Sequence, residues 1–168
     1  VLNAILSRIV NVLRSFPFII LMILIMPLSR LIIGTAIGTK ATIIPLSIAA
    51  APFVARVIES ALREVDPGVV QAAKAMGSTN WQIVYKVLIP EAMPSLVSGI
   101  TLTIINLIGY SAMAGAIGGG GLGDLAIRYG YQRFRPDIMV ITVIIIILLV
   151  EIIQLVGNRI VAKMISKR

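Results

Sequence analysis

The chain has 168 residues, of which 58% are apolar and 13% are charged, and its mean hydropathy is +1.03. This composition excludes an ordinary soluble domain, whose surface must carry more charge. The formal charge of +8 comes from Lys and Arg residues placed singly between apolar runs, which favours a membrane protein with positive-inside topology over a nucleic-acid-binding surface. Because the chain has no Cys and no His, we predict neither a metal site nor a catalytic site.

Four apolar stretches predict an all-α, polytopic membrane helical bundle, organised as a single transmembrane domain over residues 1–168. At 1.5 Å per residue the first stretch already reaches roughly 27 Å, close to the thickness of a hydrocarbon core. Near the end of the second stretch, Arg56, Glu59 and Arg63 are three and four residues apart, a spacing that predicts ion pairs on one helical face. The predicted spans cover about residues 16–33, 41–61, 95–117 and 138–156.

The polar segment at about residues 66–90 predicts a helix-turn-helix outside the bilayer. Asp66 is placed to cap the first helix, and Gly77 occupies the position of a left-handed C-terminal stop. Thr79 and Gln82 have the spacing of a capping box for the second helix, and we expect Pro90 to end or kink that helix. On spacing alone, this hairpin is either a docking element for another protein or a packed connection between two spans.

The third span carries hydrogen-bonding groups at membrane depth, which predict one of two arrangements. They line a translocation pathway, or they belong to a tight helix seam built on the small residues Ser111, Gly115 and Gly119, and the sequence favours neither. Thr103, Asn106 and Tyr110 are spaced three and four apart and therefore share one helical face. The pathway candidates are Thr103, Asn106, Tyr110, Ser111 and Met113.

The glycine run at residues 118–123 predicts a break of the helix at the outer face, followed by a flexible loop, and no Lys-Ser or Lys-Thr follows it to make a nucleotide cradle. Glu151 is the only charge in the last predicted span, and we expect it to escape toward the basic end of the helix. With the polar hairpin on the cytoplasmic side, ten of the 15 basic residues lie inside.

Two sets of motifs resemble a known family. Gln71-Ala72-Ala73, Gly77 and Val87-x-Ile89-Pro90 resemble the cytoplasmic-loop signature of ABC importer permeases, with Gln71 in place of the family's glutamate. The run Gly109 to Met113, the Gly-Gly-Gly-Leu-Gly-Asp segment and Arg-Tyr-Gly-Tyr at 128–131 resemble the methionine-importer branch. The resemblance covers nearly the whole chain.

The resemblance implies a bacterial inner-membrane permease that moves a small amino acid, expected to be methionine, by alternating access. It implies three protein partners: an ATPase subunit that carries ATP and Mg, a second permease copy and an extracytoplasmic binding protein. This chain lacks a complete Walker A loop and is expected to hold no cofactor itself. Such permeases usually have at least five spans, so either the start is non-standard or a preceding span is missing. The implied ATPase-docking residues are Gln71, Ala72, Ala73, Gly77, Ile89 and Pro90.

The main alternative is a secondary transporter or channel subunit. That class would favour discontinuous helices around a coupling-ion site together with internal repeats, and the sequence shows neither.

Overall fold

The computed structural model describes residues 8, 10–12 and 15–166, and within them the chain forms helices and no strands. Two segments are π-helical, Val84–Leu88 and Leu125–Tyr131, and each continues directly from a short α-helix. The α-helices are α1 (Phe18–Ile33), α2 (Thr39–Arg63), α3 (Pro67–Ala75), α4 (Asn80–Ile83), α5 (Ile89–Gly115), α6 (Gly121–Asp124) and α7 (Pro136–Ile165).

Three helical stretches are long and apolar enough to cross a membrane: α2, the continuous helix from Asn80 to Gly115, and α7. The α1 helix is shorter, at 16 residues, and ends at Gly34, whose φ of 83° is left-handed and whose N–H donates to the Arg30 carbonyl. Large aliphatic side chains remain exposed along α1 and α7, as expected of helices that face lipid or other membrane helices.

The α5 helix lies at the centre, with α2 and α7 packed along it. Glycines allow the close approach: a Cβ at Gly99 would overlap Val57 of α2, and a Cβ at Gly157 of α7 would overlap Thr101. The small core is formed by Phe18, Met22 and Ala114. The bundle is therefore held by small residues that bring backbones together, as in other membrane helix packings.

The two ends of the bundle differ in character. At the end that we call the glycine end, the Gly38 N–H donates to the Gly118 carbonyl over 3.1 Å, and the Thr39 hydroxyl donates to the Gly119 carbonyl over 3.0 Å. At the opposite, hairpin end, α2 leads into α3 and the Ser95 hydroxyl donates to the Glu64 carboxylate over 2.5 Å.

Pro90 is predicted to end or to kink the helix that begins at Asn80. The helix does not end there. It passes through the π-helical segment Val84–Leu88 and continues as α5. Proline lacks an N–H and its ring clashes with the carbonyl four residues earlier, and a π turn immediately before it relieves both problems without breaking the helix. The hairpin and the longest span are consequently one helical unit.

The prediction of a flexible loop after the glycine run is wrong beyond Gly120. Gly121 begins a helical arm that runs through α6 and the second π-helical segment to Tyr131. A Cβ at Gly123 would overlap the Ala112 carbonyl oxygen, and one at Gly115 would overlap the Gly123 and Asp124 backbone. Because glycine has no side chain, the backbone of the arm packs directly on the backbone of α5. This contact stabilises the arm as a helix, although glycine itself has a low helix propensity.

The arm ends in a tight turn before α7. Phe134 has a φ of 53°, the one positive φ among the described non-glycine residues, and its side chain is exposed. Arg128 pairs with Asp124 over 2.9 Å, and hydrogen bonding to Asp137 raises the pKa of the Arg135 guanidinium. Charged and aromatic side chains thus surround the glycine end.

Candidate functional site

The hairpin of α3 and α4 is closed by the local interactions that the sequence predicts. The Asp66 carboxylate accepts from the Gly68 N–H over 2.7 Å, with Pro67 as the first helical residue. At the other end Gly77 has a φ of 79°, its N–H donates to the Lys74 carbonyl, and the Ser78 N–H donates to the Ala73 carbonyl. These two bonds are those of a Schellman motif, so the predicted left-handed stop is confirmed.

The second helix starts with the predicted capping box. The Thr79 N–H donates to the Gln82 side chain over 2.8 Å, and the Gln82 N–H donates to the Thr79 hydroxyl over 3.4 Å. Only two residues, Ser78 and Thr79, therefore separate the stop glycine from the next helix, and the turn between α3 and α4 is fixed by four local hydrogen bonds.

The hairpin presents an exposed apolar surface that the motif alone does not reveal. Met76 is 86% exposed, Trp81 81% and Tyr85 75%, and we refer to these three side chains together as the hairpin patch. Aromatic and methionine side chains are enriched at protein interfaces, so a group of them left exposed on one short hairpin favours a binding surface. The signal that could have identified the patch is the single Trp of the chain, placed in its most polar segment.

The predicted docking residues occupy different environments in this hairpin. Gln71, Ala72 and Gly77 are exposed, whereas Ala73 is buried inside the hairpin, and nothing lies within 4 Å of a Cβ built on Gly77. Ile89 is partly buried, and Pro90 is exposed at the start of α5. The exposed members of the set, which a partner can contact directly, are consequently Gln71, Ala72, Gly77 and Pro90, whereas Ala73 supports the packing of α3.

Polar contacts lie at the end of α2, just before the chain enters the hairpin. Glu59 pairs with Arg56 over 2.8 Å and with Arg63 over 2.6 Å, as its spacing predicts. The Glu64–Ser95 hydrogen bond then joins the end of α2 to α5. These groups are largely exposed, so the pairs contribute little to stability.

The five pathway candidates do not share a single surface. Asn106 and Tyr110 line one cavity of about 230 Å³ between α1, α2 and α5, where the Tyr110 ring stacks on Phe18 with centroids 4.5 Å apart. Thr103 is buried and its hydroxyl donates to the Gly99 carbonyl of its own helix over 2.7 Å. The structure therefore brings Asn106 and Tyr110 together and leaves the Thr103 hydroxyl internally satisfied.

The other two candidates lie elsewhere on α5. Ser111 lines a second, largely apolar cavity of about 510 Å³ between α2, α5 and α7. Met113 is exposed. Two of the three small residues of the predicted helix seam, Gly115 and Gly119, make close contacts. Gly115 packs on the helical arm, and a Cβ at Gly119 would overlap the Ala114 backbone and Thr42.

Together these features define a class. Three membrane-length helices, a capped helical hairpin continuous with one of them, and exposed apolar side chains on that hairpin describe a polytopic helical membrane protein. Within the described residues there is no group of three or more side chains suited to hold a metal ion.

Comparison with known proteins identifies the family. The family model described as "Binding-protein-dependent transport system inner membrane component" matches residues 1–167, and the chain belongs to this family. It is a component of the inner membrane and the permease part of its transport system, not the ATPase. The predicted resemblance is thereby confirmed.

The relatives agree in name and structure. The chain is 54% identical over 162 residues to the "Probable D-methionine transport system permease protein MetI" of Vibrio cholerae, covering 96% of this chain and 72% of that one. It is 48% identical over 166 residues to the "Methionine import system permease protein MetP" of Bacillus subtilis, covering 99% and 74%. A solved structure of inward facing conformations of the MetNI methionine ABC transporter matches with a TM-score of 0.94 at 48% identity, covering 97% of this chain and 76% of that one.

Proposed function

We propose that this chain is the permease subunit of a methionine ABC importer and moves methionine into the cytoplasm by alternating access. The names of its relatives and the close match to the MetNI transporter support the substrate class. In this proposal two copies of the chain enclose the pathway, and an extracytoplasmic binding protein delivers methionine at the glycine end. ATP and Mg act on a separate ATPase subunit, which supplies the free energy of transport.

The hairpin patch is the observation that carries the coupling mechanism. Met76, Trp81 and Tyr85 stay in water in the isolated chain, and burying three such side chains in a cleft of the ATPase is favourable. Ala72 and Gly77 are small and exposed on the same hairpin, so they allow close approach of a partner's backbone. Gln71 offers an amide where the family has a carboxylate, so its contribution is hydrogen bonding and not an ion pair.

The continuous helix from Asn80 to Gly115 gives docking a mechanical consequence. A displacement of α4 by the ATPase is passed to α5 through the π-helical segment Val84–Leu88, because no loop intervenes. Asn106 and Tyr110 lie on α5 and line one cavity, which we assign to the translocation pathway. Movement of α5 therefore shifts both side chains and changes the shape of that pathway. Thr103, Ser111 and Met113 are weaker pathway candidates, since Thr103 bonds its own helix and the other two lie apart from that cavity.

Reconstitution tests the function directly. The chain is co-expressed with its ATPase and binding protein, and the purified complex is placed in proteoliposomes. Uptake of labelled methionine is measured with and without ATP on the side of the membrane that the ATPase faces. We expect ATP-dependent uptake that competing methionine suppresses and histidine does not. Uptake that persists without the ATPase and follows an ion gradient would instead indicate the secondary-transporter alternative.

A pair of variants tests the hairpin patch. Trp81→Ser is expected to lower the amount of ATPase that co-purifies with the permease, because it removes the largest exposed side chain of the patch. Phe134→Ser is the matched control, since Phe134 is equally exposed but lies beyond the glycine end. Equal recovery of the ATPase with both variants would remove the patch from the interface.

A further inference from the structure

The cavity between α1, α2 and α5 is lined by most of the phenylalanines of the chain. Three of the four border it, namely Phe16, Phe18 and Phe53. The Tyr110 ring stacks on Phe18 with an interplanar angle of 13°. Among the described residues that line the larger cavity between α2, α5 and α7, none is aromatic. We call the smaller cavity the aromatic cavity, and its lining is completed by Leu21, Ala49 and Asn106.

The rings surround open space and do not fill it. Rings that served packing alone would close the gap, because protein interiors contain few voids larger than a water molecule. The aromatic cavity instead has a volume of about 230 Å³, and Phe16 at its edge is 41% exposed. Pockets for drug-sized ligands measure roughly 300–1,000 Å³, so this cavity suits a smaller molecule, of the size of a single amino acid.

Two polar side chains in the lining have unused hydrogen-bonding groups. The hydroxyls of Thr101 and Thr103, on the same helix, each donate to the carbonyl four residues earlier and are satisfied within α5. The Asn106 amide and the Tyr110 hydroxyl make no hydrogen bond with any described residue. Both lie in a helix that is long and apolar enough to cross a membrane, where polar groups require a partner.

The lining matches a zwitterionic amino acid with a neutral thioether side chain. The Asn106 N–H groups and the Tyr110 hydroxyl are donors for a carboxylate, whereas the Asn106 carbonyl oxygen and the ring faces attract an ammonium group. Sulfur is polarisable and contacts aromatic rings favourably, so phenylalanine rings suit a thioether better than aliphatic walls do. No described residue of the lining is charged, so a charged ligand side chain would lose its hydration without gaining an ion pair.

We infer that the aromatic cavity is a methionine subsite within the permease. Asn106 and Tyr110 hold the amino and carboxylate groups of the amino acid, and the phenylalanine rings hold its thioether. This inference rests on the proposed function, which makes methionine the transported molecule. Because the lining offers no fixed counter-charge, the subsite binds weakly and releases its ligand easily. The permease then selects its substrate a second time, after delivery by the binding protein.

Single cysteines report whether the cavity is occupied, because the native chain has none. Ala49 lines the aromatic cavity, the adjacent Ala50 lines the larger one, and both are partly buried, so Ala49→Cys and Ala50→Cys are a matched pair. Phe16→Cys, at the exposed edge of the aromatic cavity, is a second reporter. Each variant is purified in complex with its ATPase but without the binding protein. The rate of labelling by a methanethiosulfonate reagent is then measured against the methionine concentration.

We expect methionine to slow labelling at position 49 and to leave position 50 unaffected. Occupancy lowers the rate by the factor 1 + [L]/Kd, so fivefold protection marks a concentration of about four times the Kd. Glutamate and lysine at that concentration should give no protection. Norleucine, which has a methylene in place of the sulfur, should require a concentration about two- to tenfold higher, the range that sulfur–aromatic contacts support.

Two results overturn the inference. Labelling at positions 49 and 16 that methionine does not slow, in assembled complexes, shows that the cavity takes no methionine. Equal protection at positions 49 and 50 reports a change of the whole complex and not occupancy of one cavity. Either result leaves the proposed function intact if the unsubstituted complex, supplied with ATP and binding protein, takes up methionine. Absence of that uptake contradicts the proposed function itself.

Variants of the lining, made in the Ala49→Cys background, test the roles of its residues. Phe53→Leu keeps an apolar side chain but removes a ring, and it is expected to reduce the preference for methionine over norleucine. Asn106→Leu is expected to raise the methionine concentration needed for protection by about tenfold or more, as for the loss of a hydrogen bond to a charged group. Phe134→Leu, beyond the glycine end, is the control and should change neither quantity. An unchanged preference with Phe53→Leu and an unchanged concentration with Asn106→Leu refute these roles.

Discussion

The crossing of α5 and the helical arm depends on glycine at position 123, and replacing it with alanine tests this packing. The added Cβ would overlap the Ala112 carbonyl oxygen, so an atom of one backbone meets an atom of another. A flexible side chain could move aside, but here α5 and α6 must separate. Overpacking costs about 1–3 kcal/mol, and the upper end applies because no side-chain rotation relieves the contact.

For a chain of this length, about 3 kcal/mol lowers Tm by about 6–12 °C. Thermal unfolding of the purified permease in detergent, followed by fluorescence-detected size-exclusion chromatography, measures this shift. Gly109→Ala is the matched control, because Gly109 lies in α5, the helix on which Gly123 packs, and nothing lies within 4 Å of a Cβ built there. That variant is expected to leave Tm unchanged or raise it slightly, since alanine is favoured over glycine in a helix by about 0.5–1 kcal/mol.

The reasoning is refuted if Gly123→Ala melts at the temperature of the parent. It is also refuted if both alanine variants lose the same amount, because the loss would then report a general intolerance of α5 and its neighbours to substitution and not the predicted backbone contact.

Three further predictions concern the hairpin and the pathway. Thr79→Ala removes the capping box, so hydrogen exchange of residues 80–83 should rise by about fivefold, for roughly 1 kcal/mol, at unchanged Tm; unaltered exchange would contradict the cap. Gly77→Val places a β-branched residue at a φ of 79° on the docking surface, and it should insert normally yet fail to co-purify with the ATPase; full assembly and transport would disprove this role. Asn106→Leu should impair transport without lowering Tm, whereas a lower Tm with normal transport per folded complex would make Asn106 a packing residue.

Features set by neighbouring residues could be predicted from the sequence. Asp66, Gly77 and the Thr79–Gln82 pair cap helices through hydrogen bonds that span two to five positions, and the ion pairs of Glu59 follow from helical spacing alone. In each case the interacting groups lie within two helical turns, so residue type and spacing contain the information that determines the structure.

Features that depend on distant contacts could not be predicted. The helical arm after Gly120 exists because Gly123 packs on Ala112, a contact between two helices, whereas glycine by composition indicates a loop. The π-helical segment before Pro90 likewise replaces the expected break. For the candidate site, the sequence identified the hairpin but not its exposed patch, because exposure depends on which face of α4 the rest of the chain covers.

The unequal joining of the two bundle ends determines which motions are easy within one copy. At the glycine end, turns that flank α2 and α5 share hydrogen bonds to the Gly118 and Gly119 carbonyls, so no long side chain has to be immobilised. At the hairpin end the Ser95 hydroxyl donates to the Glu64 carboxylate, a contact between two flexible side chains. Breaking this contact frees side chains and leaves the backbone hydrogen bonds of α2 and α5 intact. In the proposed function, a force that the ATPase applies to the hairpin should therefore separate α2 and α5 at the hairpin end, while the turns that share hydrogen bonds at the glycine end act as the pivot.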